Sequence, residues 1–250
     1  MSEGDAPGSR PLVVIPTYNE SASLPSVLAA LLGLPGALEV LVVDDNSPDG
    51  TGGLVRRHAE YGSRVHLLER PAKLGLGSAY KDGFQWALRG GYTAALEMDA
   101  DLSHDPQDVP RLLAALDGGA DIAVGSRYLQ GISVVHWPLW RLMLSLGASL
   151  YTRLLTRMPM TDPTSGFKAF RRAVIERLDW RRITPEGYGF QIAVHFFARR
   201  SGFRVREVPI VFTERREGRS KLSFGITIEA VLLVLRLSLL RLRDAVFGVR

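Results

Sequence analysis

Five short apolar runs recur along the first half of the chain, each ending in a polar cluster and each separated from the next by a helix-forming stretch. Leu12–Ile15 is stopped by Pro16, Val40–Val43 by Asp44, and Ala94–Met98 by Asp99. Arg64–Leu68 ends at Glu69, and Ala120–Val124 runs into Gly125, Ser126 and Arg127. The intervening segments, about Ser23–Leu32, Gly50–Tyr61, Gly75–Arg89 and Asp108–Asp117, have helical spacing, and Asp105-Pro106 suits entry to the last. Strands that are apolar throughout, alternating with helices, demand an α/β fold with a mostly parallel central sheet flanked by helices. Right-handed crossovers bring the carboxyl ends of such strands to one edge, where ligands bind. Every polar cluster sits at that edge.

The second half is expected to be helical and less regular. Leu139–Thr156 reads as a helix with Arg141, Ser145, Ser149, Thr152 and Thr156 in a polar stripe opposite Leu and Met. A loop at Pro159–Gly166, helices near Arg171–Leu178 and Tyr188–Arg200, and an extended stretch at Arg204–Phe212 follow. The last helix spans about Phe224 to Val246, with Glu229, Arg236 and Arg243 at sevenfold spacing on an apolar surface. It packs on the sheet, lies on a membrane surface or docks a partner. Its longest uninterrupted apolar run is Ala230–Leu235, whereas crossing a bilayer takes about 20 apolar residues, so no span is expected. No repeat or long linker divides residues 1–250, which read as one domain. The polar amino terminus lacks a signal-like core, which points to a cytosolic protein.

Charge separates the halves. Residues 1–125 hold 9 basic and 17 acidic side chains, a net of −8, and residues 126–250 hold 22 and 9, a net of +13. A basic half of this kind suits an anionic partner: a phosphorylated substrate, an anionic lipid surface or nucleic acid. Nucleic acid is disfavoured, because no zinc-finger, basic-zipper or aromatic RNA-binding motif is present. The absence of cysteine excludes disulfides, a thiolate nucleophile and zinc-thiolate chemistry.

The chemistry-bearing clusters are four. Asp99 and Asp101, at i and i+2 just past a buried strand, suit one hard cation, Mg²⁺ or Mn²⁺, completed by phosphate oxygens. The competing role for Asp99 and Asp105 is to cap turns, and His104 reads as a packing residue rather than a ligand. Pro16–Glu20 offers a ring and polar groups for a base and ribose, and Val43–Gly50 places Asp45 to accept from base or ribose donors or to make a turn. Arg70–Gly77 is a glycine-bearing loop entering a helix, a natural phosphate site. A P-loop and a complete dinucleotide fingerprint are both missing.

Taken in order, VVIPTYNE, VVDDNSPDGT, RPAKLGLGSAY, MDADLSHDP, VGSRY, DPTSGFKAF, GYGFQI and GRSKL closely resemble family 2 inverting glycosyltransferases of the Rossmann-like GT-A fold, specifically dolichol-phosphate (polyprenyl-phosphate) mannose synthases. The resemblance runs from Leu12 to Leu222. It implies a nucleotide-sugar and metal half at about residues 12–125, an acceptor half at 126–222 and an apolar terminal helix at 224–246. It further implies that GDP-mannose is held by Pro16, Tyr18, Glu20, Val43, Asp45, Lys73, Asp99 and Ala100. The metal falls to Asp99, Asp101 and Ser103, where some relatives carry Gln and this chain offers only a hydroxyl. A polyprenyl or dolichyl monophosphate falls to Arg127, Arg141 and Ser145, with Arg219 and Lys221 on a basic loop that closes over the site. Asp99, Asp101 and Arg127 are the expected catalytic set.

The expected reaction is a single displacement with inversion. Its nucleophile, a phosphate oxygen, is already ionised near neutral pH, so no strong general base is required. Arginine suits the acceptor because its planar fork grips phosphate bidentately. The resemblance also places the protein at the cytoplasmic face of a membrane as a peripheral enzyme, attached to the lipid surface or to a membrane subunit. UDP-glucose as donor is the nearest alternative, and a non-catalytic sugar-nucleotide scaffold is a more distant one. A phosphatase with paired aspartates is disfavoured, since Pro16, Thr17 and Tyr18 stand where its nucleophile motif belongs.

Overall fold

A computed structural model describes residues 10–184, 187–214 and 224–247. The first half alternates β1 (Pro11–Thr17), α1 (Leu24–Leu32), β2 (Glu39–Asp44), α2 (Thr51–Arg56), β3 (Val65–Glu69), α3 (Leu76–Arg89), β4 (Ala94–Glu97), α4 (Val109–Asp117) and β5 (Ile122–Ser126). There follow β6 (Val134–Val135), α5 (Leu139–Thr156), β7 (Lys168–Arg171), α6 (Arg172–Arg177), α7 (Gly187–Arg200), β8 (Val205–Pro209), β9 (Phe212–Thr213) and α8 (Phe224–Phe247). Seven strands form one sheet in the order β3-β2-β1-β4-β7-β5-β8, and β6 pairs separately with β9.

Both faces of the sheet are covered because successive residues of each strand point to opposite sides. Leu12 and Val14 join Tyr80 and Phe84 of α3, Val174 of α6 and Phe190 of α7 in one core. Val13 and Ile15 join Val27 and Leu28 of α1 and Leu112 of α4 in the other. Gly83 lets α3 lie close on β1, since a Cβ there would stand 2.3 Å from Val14 Cγ1.

Four expectations need correction. Pro16 does not end β1, which pairs with β2 through Thr17. Thr17 O accepts from Asp45 on the β2 side and Val14 O accepts from Met98 on the β4 side. Pro16 therefore turns its missing N–H toward the β4 side, beyond the last ladder bond. The helix expected over Gly50–Tyr61 stops at Arg56, because Glu60 O collects the N–H groups of Ser63, Arg64 and Val65 in a turn. No strand is expected between the loop at Pro159–Gly166 and the helix near Arg171–Leu178, yet β7 enters the middle of the sheet antiparallel to both β4 and β5. Finally, α8 packs on α7 and α5, not on the sheet, with Val234 and Leu237 as its buried residues.

Candidate active site

The loops after β1, β2, β3 and β4 meet at one edge and are tied to each other by side chains. Asp44 accepts from Thr17 Oγ1 at 2.7 Å and from Ser47 Oγ at 2.6 Å. Asp49 accepts from the backbone of Ser21 and from both N–H and hydroxyl of Thr51. Burial pushes the Asp49 carboxyl up, but the bonds from Thr51 and Ser21 outweigh it and bring it down to about 2. Asn19, Asn46 and Leu102 adopt positive φ of 61°, 56° and 62° in the loops after β1, β2 and β4. For Leu102, between Asp101 and Ser103, that conformation is strained, a condition that clusters at functional sites.

Several expected donor residues come together here. Lys73 Nζ lies 4.3 Å from the centroid of the Tyr18 ring, joining the loops after β1 and β3. Asp45 is buried and accepts from Arg70 Nε at 2.5 Å and from the Leu74 N–H at 3.1 Å. Its carboxylate thus anchors the glycine-bearing loop. Arg70, at the head of that loop, also reaches Ser78 Oγ at 2.7 Å and Gly75 O at 2.9 Å. Pro16 and Val43 face each other in register on β1 and β2, Val43 and Ala100 are buried, and the Glu20 N–H donates to Thr51 Oγ1.

The loop after β4 carries Asp99, Asp101 and Ser103. The Tyr80 hydroxyl, itself fully buried, donates to Asp99 Oδ1 at 3.5 Å, and Asp101 Oδ1 accepts from the Ser103 N–H at 3.1 Å. Ser103 Oγ is buried with no hydrogen-bond partner among the described residues, an orphaned hydroxyl that a ligand would satisfy. His104 is spent on packing: its Nδ1 accepts from the Asp99 N–H, and its ring stacks on Phe167 at 4.8 Å. Burial lowers its pKa, keeping the imidazole neutral. Asp105 caps the turn at Gln107. Among the described residues no group of three His, Cys, Asp or Glu is gathered as a cage. Two carboxylates and an orphaned hydroxyl fit a hard divalent cation whose remaining ligands come from substrate phosphates.

Beneath this loop, Glu97 and Lys168 face each other in register and are fully buried, 3.3 Å apart. Burial raises the Glu97 pKa and lowers that of Lys168, and each is opposed by the charge of the other. Gln191 Oε1 accepts from the same ammonium.

The acceptor set lies across β9. Arg127, Arg141 and Ser145 line one cavity of about 380 Å³ with Trp137, Thr164, Tyr151 and Val234, between α5 and α8. The Arg127 guanidinium is gripped by Asp162 at 2.6 and 2.7 Å and by Thr164 Oγ1 at 2.7 Å. Arg141 packs on the Trp137 ring at 4.3 Å and pairs with Glu214 at 2.5 Å. Ser145 Oγ accepts from the Tyr128 hydroxyl at 2.7 Å. Phe212 joins the two sides, with its ring 5.4 Å from His104 and 5.5 Å from the Arg127 guanidinium, and the Thr213 N–H donates to Ser103 O. Arg219 and Lys221 lie outside the described residues.

The polar stripe of α5 faces inward: Arg141, Ser149, Thr152 and Thr156 are buried, while Leu139, Met143, Leu150 and Leu154 are exposed. On α8, Leu232, Leu235, Leu239 and Leu242 are likewise exposed. Among the described residues no helix is long and apolar enough to cross a membrane.

Asp162, Thr164, Trp137 and Glu214 carry no sequence signal that marks them singly as site residues. Asp162 and Arg127 stand 35 positions apart, and no local periodicity links them.

A mixed sheet of this order, with helices on both faces and its loops gathered at one edge, places the chain in the GT-A fold class. Glucosyl-3-phosphoglycerate synthase from Mycobacterium tuberculosis, solved with Mn²⁺, UDP-glucose and phosphoglyceric acid, shares that fold with a TM-score of 0.69. The match has 20% identity and covers 92% of this chain and 80% of that one. The glycosyl transferase family 2 model matches residues 12–179, and the chain belongs to that family. It is 48% identical over 218 residues to polyprenol monophosphomannose synthase of Mycolicibacterium smegmatis, covering 87% of this chain and 82% of the relative. It is 47% identical over 227 residues to undecaprenyl-phosphate mannosyltransferase of Micrococcus luteus, covering 91% and 93%. The family inferred from the ordered motifs is the family found.

Proposed function

We propose that the protein transfers mannose from GDP-mannose to a polyprenyl monophosphate, with inversion, giving a β-linked polyprenyl phosphomannose. The observation that carries this reading is one mostly apolar cavity lined by Arg127, Arg141 and Ser145, with Phe212 on Arg127 and Thr213 bonded to Ser103 linking it to the loop after β4. A lipid phosphate needs this combination: cations for the head and an apolar channel for the chain. The names of the two relatives quoted above support the same acceptor and sugar.

In the proposed reaction a phosphate oxygen of the acceptor forms a bond to the anomeric carbon as the bond from that carbon to GDP breaks. The oxygen is anionic already, so the protein positions rather than deprotonates it. Asp162 holds Arg127 in a fixed pose, and Trp137 flattens Arg141, so both guanidinium groups are ordered before the acceptor arrives. Asp99, Asp101 and Ser103 would hold Mg²⁺ or Mn²⁺, whose chemistry is neutralisation of charge on a leaving diphosphate. Lys73, held at Tyr18, adds a positive charge on the donor side. The exposed leucines of α5 and α8 suit a peripheral position on the cytoplasmic face of a membrane, where the acceptor resides.

The test is incubation with labelled GDP-mannose, a divalent cation and farnesyl phosphate, followed by organic extraction. Label is expected in the lipid fraction. Label retained in the aqueous phase, with transfer from UDP-glucose instead, would overturn the donor assignment.

A further inference from the structure

We propose that Glu214 is a displaceable anion that occupies the acceptor-phosphate position on Arg141 until an acceptor phosphate replaces it. The proposal rests on the acceptor assignment above.

Two arginines line the cavity, and each is met by a carboxylate, but the two pairs are built differently. Asp162 is 0% exposed, grips Arg127 by two guanidinium nitrogens, and accepts from the Arg127 backbone N–H as well. Its own N–H is tied to Glu207. Nothing arriving from the cavity displaces so enclosed a group without stranding a buried charge. The Glu214 side chain is 29% exposed and meets Arg141 through one nitrogen, at the end of β9. Solvent is ready to receive it when it leaves.

Arg141 does not depend on Glu214 for its pose. It is buried on α5 and its guanidinium lies over Trp137. Trp137 supplies a second sign that an oxygen-rich ligand belongs here: its indole Nε1–H is buried with no acceptor among the described residues, and the residue lines the same cavity. The carboxylate of Glu214 therefore serves Arg141 alone, whereas a phosphate has oxygens for both donors. A phosphate monoester brings about −1.5 to −2 charge at neutral pH against one for the carboxylate, and three strong acceptor oxygens. Exchange then favours a monoester. A phosphodiester, with a single charge, meets the same displacement cost and gains less from Arg141 in return.

Calorimetric affinities for farnesyl phosphate and for its singly charged methyl ester, measured on wild type, Glu214→Gln, Arg141→Ala and the double variant, test this. Glu214→Gln should tighten both ligands about fivefold, the worth of a partly exposed ion pair that each must break. The ratio of the two affinities should stay the same, because displacing Glu214 costs the same for either. The tightening should vanish in the Arg141→Ala background, because the competition is for that guanidinium. Equal affinities in wild type and Glu214→Gln overturn the proposal, as does tightening that persists without Arg141. Mannose transfer, assayed on the same wild-type sample, separates the two readings. A wild type that binds farnesyl phosphate without transferring mannose overturns the proposed reaction and leaves the Glu214 comparison standing on its own result.

Discussion

Asp162 and Arg127 form a buried, two-pronged ion pair that spans 35 residues and joins the end of β5 to the loop before β7. Burial alone would raise the Asp162 carboxyl, but the Arg127 charge and its hydrogen bonds more than offset this and hold it below the ordinary range. Asp162→Ala removes one partner and leaves the other buried, so it should cost about 3–5 kcal/mol in urea unfolding. Asp162→Asn, which keeps the shape and one acceptor oxygen, should cost less. A loss below about 1 kcal/mol for the alanine variant would mean that Arg127 escapes to water.

The carboxyl of Asp49 makes loop closure acid-sensitive. Its folded pKa, about 2, lies below the ordinary 3.8, so its contribution is complete above the unfolded value and is lost as pH falls toward 2. Amide protection at Ser21 and Thr51, the donors to Asp49, taken relative to intrinsic exchange at each pH, should fall over that window in wild type. Asp49→Asn should show faster exchange already at neutral pH and no further dependence of this origin.

Asp101→Ala should lower kcat by about 10³-fold, the scale of losing a group that stabilises developing charge, with the thermal midpoint little changed. Asp101 accepts from the Ser103 N–H, and the substitution leaves the flanking buried residues intact. Chelation of divalent ions should silence wild type in the same way, and Mn²⁺ or Mg²⁺ should restore it. Retained activity in the alanine variant would remove Asp101 from the metal set.

Leu154 and Leu239 are each 67% exposed on α5 and α8. Leu154→Asp and Leu239→Asp should fold normally, since neither side chain is packed in the core. Each should weaken sedimentation with anionic vesicles by about tenfold or more, from the ~1.5–3 kcal/mol of burying a leucine plus charge repulsion. Unchanged vesicle binding in the double variant would place the membrane contact elsewhere.

The residues that the motifs marked for the donor side do gather at one edge, because a parallel sheet delivers every strand end there whatever the details of packing. Lys73 reaching Tyr18 is one instance. Asp45 is subtler: it stands at the expected place, but its bonds go to Arg70 and Leu74. A carboxylate can turn to ligand or to loop, and sequence spacing does not distinguish the two. On α5 the stripe from Arg141 to Thr156 was legible as a stripe, while the direction it faces was not. A helix with one polar and one apolar side ordinarily buries the apolar one, and here the polar side is inside.

What the sequence determined by itself was the alternation of apolar strands and helices, the polar edge, the terminal helix and the charge split, all of which follow from local composition and period. Tertiary structure decided the rest: β7 inserted between β4 and β5, Asp162 on Arg127, Glu214 on Arg141, and Phe212 between the two half-sites. These contacts join residues tens of positions apart. Their formation depends on the burial of charge and on strand order, neither of which leaves a periodic trace in the chain.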